Sequence, residues 1–372
     1  VKPEGTRDYL PPEAEVRASF RERLEALFSR WGYRPVELSV LETYDASHPN
    51  AERAFKLVDK TGEVLMLRSE FTTALARVLL PRASEGPIRL RYAGKLWLRE
   101  AAAEPGRLRE FTQVGVELVG ISSPAADAEL VELAWEALVA VGLEAAVIEI
   151  GLPALVRDLL EATGLPGEVA ERLRRAVDRK AVPELAEALS AFGVKGKLRE
   201  AILALPDLYG GREVLQEAKR HALSDRARLD LEWLEAVARA LPPALPLMFD
   251  LGMARRYDYY SGLTFRAYTP DFGLPLLGGG RYDGALLPMA AGFAVGLERV
   301  IEAVKAPPSR RGVEIIAADV DLARRLRAEG RVVELAHTDD RAALLALAER
   351  RGARYLAVEG KLVEVTSCRD TN

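Results

Sequence analysis

Four short runs in this sequence carry the residue types that could enclose a small polar ligand. Along residues 111–119, Gln113, Gly115 and Glu117 alternate with Val114, Val116 and Leu118. Side chains alternate across a strand, so the polar and apolar rows occupy opposite faces. Such a strand either lines a wet cleft with its back on a core, or turns a polar face to solvent. Glu70 and Thr72 fall at the start of a helical pattern. A carboxylate there can contact a ligand or simply complement the helix dipole. Arg255-Arg256-Tyr257-Asp258-Tyr259-Tyr260 clusters guanidinium, phenol and carboxylate groups. Together they can hold an aromatic-sized polar ligand by stacking and charge-assisted hydrogen bonds. In Gly278-Gly279-Gly280-Arg281-Tyr282-Asp283-Gly284 the glycines allow positive φ and close backbone approach. Tyr282 and Asp283 equally suit a structural role, locking the Gly-rich turn.

The elements that must position these runs follow from periodicity and punctuation. Val16, Phe20, Leu24, Leu27, Phe28 and Trp31 recur at helical spacing after Pro11-Pro12-Glu13, and Gly32 ends the helix. A strand is predicted over 36–41, then a hairpin of 55–58 with 64–68 around Lys60-Thr61-Gly62. A helix over 70–80 stops at Pro81. Strands over 88–100 and 109–119 bracket a small-residue loop at 101–106. A helix over 125–141 and a strand over 146–150 come next. Residues 153–240 are almost wholly helical in pattern, broken by Gly and Pro, and read as an all-helical insertion. Strands return at 247–251 and 263–268. Ala306-Pro307-Pro308-Ser309-Arg310-Arg311 is the clearest linker. Beyond it strand and helix alternate at 313–318, 322–328, 332–335, 341–350, 355–358 and 362–365, a small α/β domain of about 60 residues. The expected division is therefore 1–304, a linker at 305–311, and 312–372.

Composition narrows the function. Hydrophobic residues make up 49% and charged residues 29% of the 372, as in a globular protein with ample core. A net charge of -4 argues against a large non-specific nucleic-acid surface, while leaving room for a local basic patch. The single cysteine, Cys368, excludes an internal disulfide framework and a Cys-built metal site. His48, His221 and His337 are scattered without metal-ligand spacing and read as ordinary surface or packing residues. The opening VKPEGTRDYLPPE is polar and Pro-rich, unlike a signal or transit peptide. No apolar run approaches the roughly 18 residues that span a membrane. A cytoplasmic protein without metal or cofactor is expected.

The ordered motifs GTRDYLPPE, LRSEFT, GRLREFTQVGVELVG, RRYDYYSGLTF, GGGRYDGALL and GFAVGLER resemble the class II catalytic domain of histidyl-tRNA synthetase over residues 1 to about 304. The resemblance implies an α+β fold: a class II aminoacyl-tRNA synthetase-like antiparallel sheet of six or seven strands with flanking helices. It also implies a homodimer formed through the first helix and strand. It carries histidine contacts to Glu70 and Thr72, and the imidazole and α-amino contacts to Gln113 and Glu117. Tyr259 and Tyr260 match the tyrosines that close over the side chain. Arg255 matches an arginine aiding adenylate formation, Arg109 an ATP-contacting arginine, and Arg299 the arginine that holds adenine.

Two departures from that family count against aminoacylation. Its second motif places arginine two residues before glutamate, where it grips the ATP α-phosphate. Trp97-Leu98-Arg99-Glu100 puts Leu98 there, and strand alternation sends Arg99 to the other face. Losing one preorganised donor costs about 2.7–4 kcal/mol of transition-state stabilisation. Leu98, Glu100, Arg109 and Arg299 thus mark a vestigial ATP site. Ser39 and Ser69 also stand where the family has proline. The second departure is the C-terminal domain, a truncated version of the anticodon-binding module, so tRNA is not an expected partner.

A synthetase-like chain with these losses resembles the regulatory-subunit branch of ATP phosphoribosyltransferase. That resemblance implies a partner, the short-form catalytic subunit, in a hetero-octamer. It implies a non-catalytic role in the first step of histidine biosynthesis and feedback inhibition by histidine. The alternatives are a compact histidyl-tRNA synthetase and a free-standing ligase that adenylates histidine, and both need the same ATP grip.

Overall fold

The computed structural model describes residues 2–82, 86–99, 108–254, 260–304 and 312–365. Glu100, the loop at 101–106, Arg255, Tyr259, the linker at 305–311 and Cys368 lie outside the described residues. The chain divides into two compact units, Val1–Tyr9 with Arg17–Ala306, and Leu10–Val16 with Pro307–Asn372.

Helix α1 (Glu13–Arg30), whose residues from Arg17 on belong to the larger unit, buries Phe20, Leu24, Leu27 and Phe28 there, and Gly32 ends it with φ +82°. The expected strand over 36–41 is instead two fragments, β1 (Arg34–Pro35) and β2 (Leu41–Thr43). The reason is local. The Arg68 guanidinium takes the Leu38 and Ser39 carbonyls at 2.8 and 3.2 Å, and Pro35 has no N–H for a ladder. Strands β3 (Lys56–Val58) and β4 (Val64–Leu67) form the predicted hairpin, with Gly62 at φ +84°, and complete a three-stranded sheet in the order β2-β4-β3. Helix α2 (Thr72–Leu79) begins two residues later than expected, because Glu70 caps it from outside by accepting from the Thr73 N–H.

The long antiparallel pair β5 (Ile88–Trp97) and β6 (Glu110–Val119) follows, then α3 (Pro124–Ala140) and β7 (Val147–Gly151). The insertion comprises α4 (Pro153–Glu161), α5 (Gly167–Asp178), α6 (Val182–Ala191), α7 (Gly196–Ala204), α8 (Val214–Arg220) and α9 (Asp225–Ala240). It is helical except for the two-residue strand β8 (Tyr209–Gly210), which ties it to the main sheet through β9 (Leu247–Asp250). Strands β10 (Thr264–Thr269), β11 (Phe272–Arg281) and β12 (Ala290–Gly296) lead into α10 (Leu297–Ala303).

The main sheet runs β1-β5-β6-β12-β11-β10-β7-β9-β8. Its middle six strands, from β5 to β7, are antiparallel, while β1 joins β5 and β9 joins β7 in parallel, and β8 closes the edge antiparallel to β9. The result is a mixed nine-stranded sheet whose antiparallel heart matches the expected fold class. One face packs into the core: Val114, Val116, Leu118 and Val295 are sealed, and Phe28 of α1 meets Phe293 edge-on at 5.7 Å. Arg281 pins β11 to α3 by donating twice to Asp127 Oδ1, at 2.9 and 2.7 Å, and Trp233 of α9 takes the other oxygen at 2.7 Å. A buried charge pair persists only when its remaining valences are met, as they are here.

The smaller unit alternates β13 (Ile315–Ala317), α11 (Val320–Ala328), β14 (Val333–Leu335), α12 (Arg341–Arg351), β15 (Tyr355–Val358) and β16 (Lys361–Glu364). Its sheet order is β14-β13-β15-β16, parallel except for the last pair. Asp319 and Asp340 cap the two helices, and Gly352 at φ +65° ends the second. Among the described residues no helix is long and apolar enough to cross a membrane.

Candidate functional site

The polar face of the main sheet is shaped by what its glycines allow. Gly292 of β12 lies directly opposite Glu117 of β6, and Gly280 of β11 opposite Gly292. Cross-strand partners share a face, so these residues line one strip of floor. A Cβ at Gly292 would overlap Glu117 Oε2, and one at Gly115 would come within 2.6 Å of the Tyr92 hydroxyl oxygen. A Cβ at Gly280 would sit 2.8 Å from the Tyr260 ring. None of Gly278, Gly279 and Gly280 has a positive φ. Gly279 and Gly280 therefore serve close approach, not an unusual backbone, while a Cβ at Gly278 would meet nothing nearer than 4.0 Å.

Glu117 is only 2% exposed, so the Gln-Gly-Glu row is enclosed by protein at its glutamate end. Three hydroxyls surround this carboxyl group. Tyr282 donates to Oε2 at 2.6 Å, Thr72 to Oε1 at 3.2 Å, and Tyr92 stands 3.5 Å from Oε1. Tyr92 is itself fixed by stacking on Phe71, with ring centroids 4.1 Å apart. Burial pushes the Glu117 pKa up to about 7; the charge of Glu70 adds to the rise, and the hydroxyl hydrogen bonds oppose it. Burial likewise raises the phenols of Tyr92 and Tyr282 well above their ordinary value, so both remain donors.

Glu70 behaves differently. Burial favours its neutral form, but hydrogen bonds from His48 and from Thr73 outweigh it and leave the carboxyl below its ordinary value. Thr73 N–H donates at 3.0 and 3.1 Å to its two oxygens, and His48 Nε2 lies 3.3 Å from Oε1. Two carboxyl groups with opposite tendencies thus flank the start of α2. Gln113 is half-buried on the same strand face as Glu117, and Tyr260 is half-buried against the apolar cluster around Phe71 and Tyr92.

The residues read as an ATP site are otherwise engaged. Leu98 is half-buried beyond the end of β5, its N–H on the Arg109 carbonyl at 2.9 Å. Arg99 is exposed; its N–H bonds the Arg53 carbonyl and its guanidinium reaches toward the Glu52 carbonyl at 3.4 Å. Arg109 donates to the Glu4 carbonyl at 3.3 Å and lies over the Phe55 ring at 4.6 Å. Arg299 donates to the Pro275 carbonyl at 2.9 Å. Glu298 binds the Thr112 N–H and Arg17, fastening α10 and α1 to β6. Among the described residues no group of three or more His, Cys, Asp and Glu could hold a metal ion.

The structure brings Glu70, Thr72 and Glu117 together, with Tyr260 and Gln113 on the same side. Three further residues in contact with this cluster were not assigned to it by motif reasoning. Tyr92 was legible only through its register opposite Gly115. Tyr282, equally consistent with a structural lock, donates to Glu117, whereas Asp283 does lock its turn through Arg281, Ala290 and Ser122. His48 carried no local signal, because the turn that delivers it is positioned by the small sheet.

The sequence matches the histidyl-tRNA synthetase family model over residues 5–300. A protein of Thermus thermophilus named ATP phosphoribosyltransferase regulatory subunit is 55% identical, covering 98% of this chain and 99% of its own length. A protein of the same name from Deinococcus radiodurans is 45% identical over 98% of this chain and 90% of its own. The crystal structure of an ATP phosphoribosyltransferase regulatory subunit/histidyl-tRNA synthetase from Bacillus halodurans superposes with a TM-score of 0.81 at 27% identity, covering 96% of this chain and 97% of that one. On this similarity the chain belongs to the ATP phosphoribosyltransferase regulatory subunits, a family built on the histidyl-tRNA synthetase catalytic fold.

Proposed function

We propose that this chain is a non-catalytic regulatory subunit that binds histidine in the cleft over the main sheet. Its partner is the short-form catalytic subunit, which in the cytoplasm joins ATP and phosphoribosyl pyrophosphate in the first step of histidine biosynthesis. The chain is needed for full activity of that subunit and for feedback inhibition, with a homodimer core inside a hetero-octamer and no tRNA partner. One observation supports the reading: Glu117, Thr72, Tyr92 and Tyr282 form a buried carboxyl–hydroxyl cluster with Glu70 at the start of α2, in a sequence that by resemblance has Leu98 where the synthetases carry the phosphate-gripping arginine.

The charge states suggest how histidine sits. Glu70, held ionised, suits the ammonium group, since a cation needs a charged acceptor. Glu117, with a pKa near 7, suits the imidazole, whose own pKa of about 6.5 makes the two share a proton. This assigns the α-amino contact to Glu70 where sequence resemblance had favoured Glu117. Thr72 and Gln113 complete the polar wall, and Tyr260, with Tyr259 and Arg255 by resemblance, closes the cleft. Leu98, Glu100, Arg109 and Arg299 remain as the relic of an ATP site. Feedback requires that histidine prefer one state of the assembly, because equal affinity for both states shifts nothing.

Adding the purified chain to a short catalytic subunit and measuring phosphoribosyl-ATP tests this directly. Stimulation that histidine reverses is expected; no stimulation would refute the role. Histidine-dependent ATP–pyrophosphate exchange by the chain alone would instead establish a compact synthetase.

A further inference from the structure

His48 belongs to none of the motifs that pointed to the cleft, yet it is only 7% exposed and adjoins one of the site's two carboxyl groups. The Asn50 N–H donates to its Nδ1 at 3.0 Å, so Nδ1 presents a lone pair and the ring proton sits on Nε2. Nε2 in turn stands 3.3 Å from Glu70 Oε1. The backbone of Thr73 holds the same carboxylate from the other side. The imidazole contact is a close polar approach between a buried ring and a half-buried carboxylate, not a fully aligned hydrogen bond, and Nε2 has no other hydrogen-bond partner among the described residues. Ligand-contacting groups need such neighbouring support to stay in productive geometry.

The other charged groups around the ring do not compete for this proton. Glu42 of β2 pairs with Arg77 at 3.0 Å. Asp45 Oδ1 accepts from the Ser47 N–H and hydroxyl at 2.8 and 2.7 Å. Glu42 Oε2 is buried without a partner among the described residues, but the carboxylate oxygen found within ion-pair distance of Nε2 is that of Glu70.

We infer that His48 is a positioning residue of the amino-acid site: its Nε2–H fixes the Glu70 carboxylate in the orientation that receives the ligand's ammonium group. The inference rests on the histidine-binding reading above and deepens it, assigning a residue that touches no ligand. It also identifies the turn after β2 as part of the binding machinery.

Titration calorimetry of the full chain with L-histidine, and with 4-methylimidazole as a ligand lacking the ammonium group, provides the test. Glutamine offers an N–H donor at about the reach of Nε2, whereas leucine fills the volume without one. His48→Gln should keep histidine affinity within about threefold of wild type, and His48→Leu should weaken it about tenfold or more. Neither change should alter 4-methylimidazole affinity. Histidine binding by His48→Leu at the wild-type level overturns the inference, as does equal weakening of both ligands, which would mean a merely structural role. If His48→Leu does not fold, His48→Asn replaces it: its amide falls short of Glu70, so the same histidine-specific loss is expected and wild-type affinity is again refuting. A wild-type chain that binds no histidine sinks the underlying reading together with this one; intact binding in the donor-less variants sinks this one alone.

Discussion

A carboxyl group sealed from water titrates late, and Glu117 illustrates what that means for both stability and binding. Its folded pKa of about 7 lies above the ordinary 4.5, so the native chain holds a proton that the unfolded chain has already released across that window. The contribution of this group is fully present below about pH 4.5 and is lost as pH rises through 7. Glu117→Gln cannot ionise. Its stability relative to wild type should therefore improve by up to about 3 kcal/mol between pH 4.5 and 7.5. Denaturant unfolding of both proteins across that range checks this; a flat difference would contradict the assigned burial. If imidazole binds against Glu117 as proposed, ligand occupancy should depend on pH across the same window.

At the scale of elements, glycine decides where side chains can stand. Gly292 gives its volume to the Glu117 carboxylate, while Gly278, two residues before Gly280 on β11, is exposed with its nearest neighbours 4.0 Å from a built Cβ. Gly292→Ala should cost about 1–3 kcal/mol in chemical denaturation and abolish histidine binding. Gly278→Ala should stay within about 0.5 kcal/mol of wild type and bind normally. Equal effects would show that the floor relaxes freely. The same scale shows where periodicity was a sound guide. The core helices, the β3–β4 hairpin and every element of the small C-terminal unit were legible from spacing, caps and turn residues, to within a few residues at their ends. The stretch at 36–41 was not. Its apolar–polar alternation reads as a strand, but a guanidinium from a distant segment satisfies its carbonyls instead.

For the molecule as a whole, binding should register as stability. A ligand that binds only the native state adds about 2.7 kcal/mol at a hundred times its Kd. Histidine should therefore raise Tm progressively with concentration, and Glu70→Ala should remove that response while leaving the unliganded chain folded. A Tm indifferent to histidine would count against the cleft as its site. The sequence by itself determined the class II fold, the family and the identities of Glu70, Thr72 and Glu117, because motif order, strand alternation and helix punctuation are local and survive in one dimension. Only the tertiary structure decided the charge states and the supporting cast. The hydroxyls of Tyr92 and Tyr282 meet Glu117 across separations of 25 and 165 residues, and His48, in the turn after β2, approaches Glu70, which follows the paired strand β4. Desolvation depends on everything that surrounds a group, and no spacing along the chain records it.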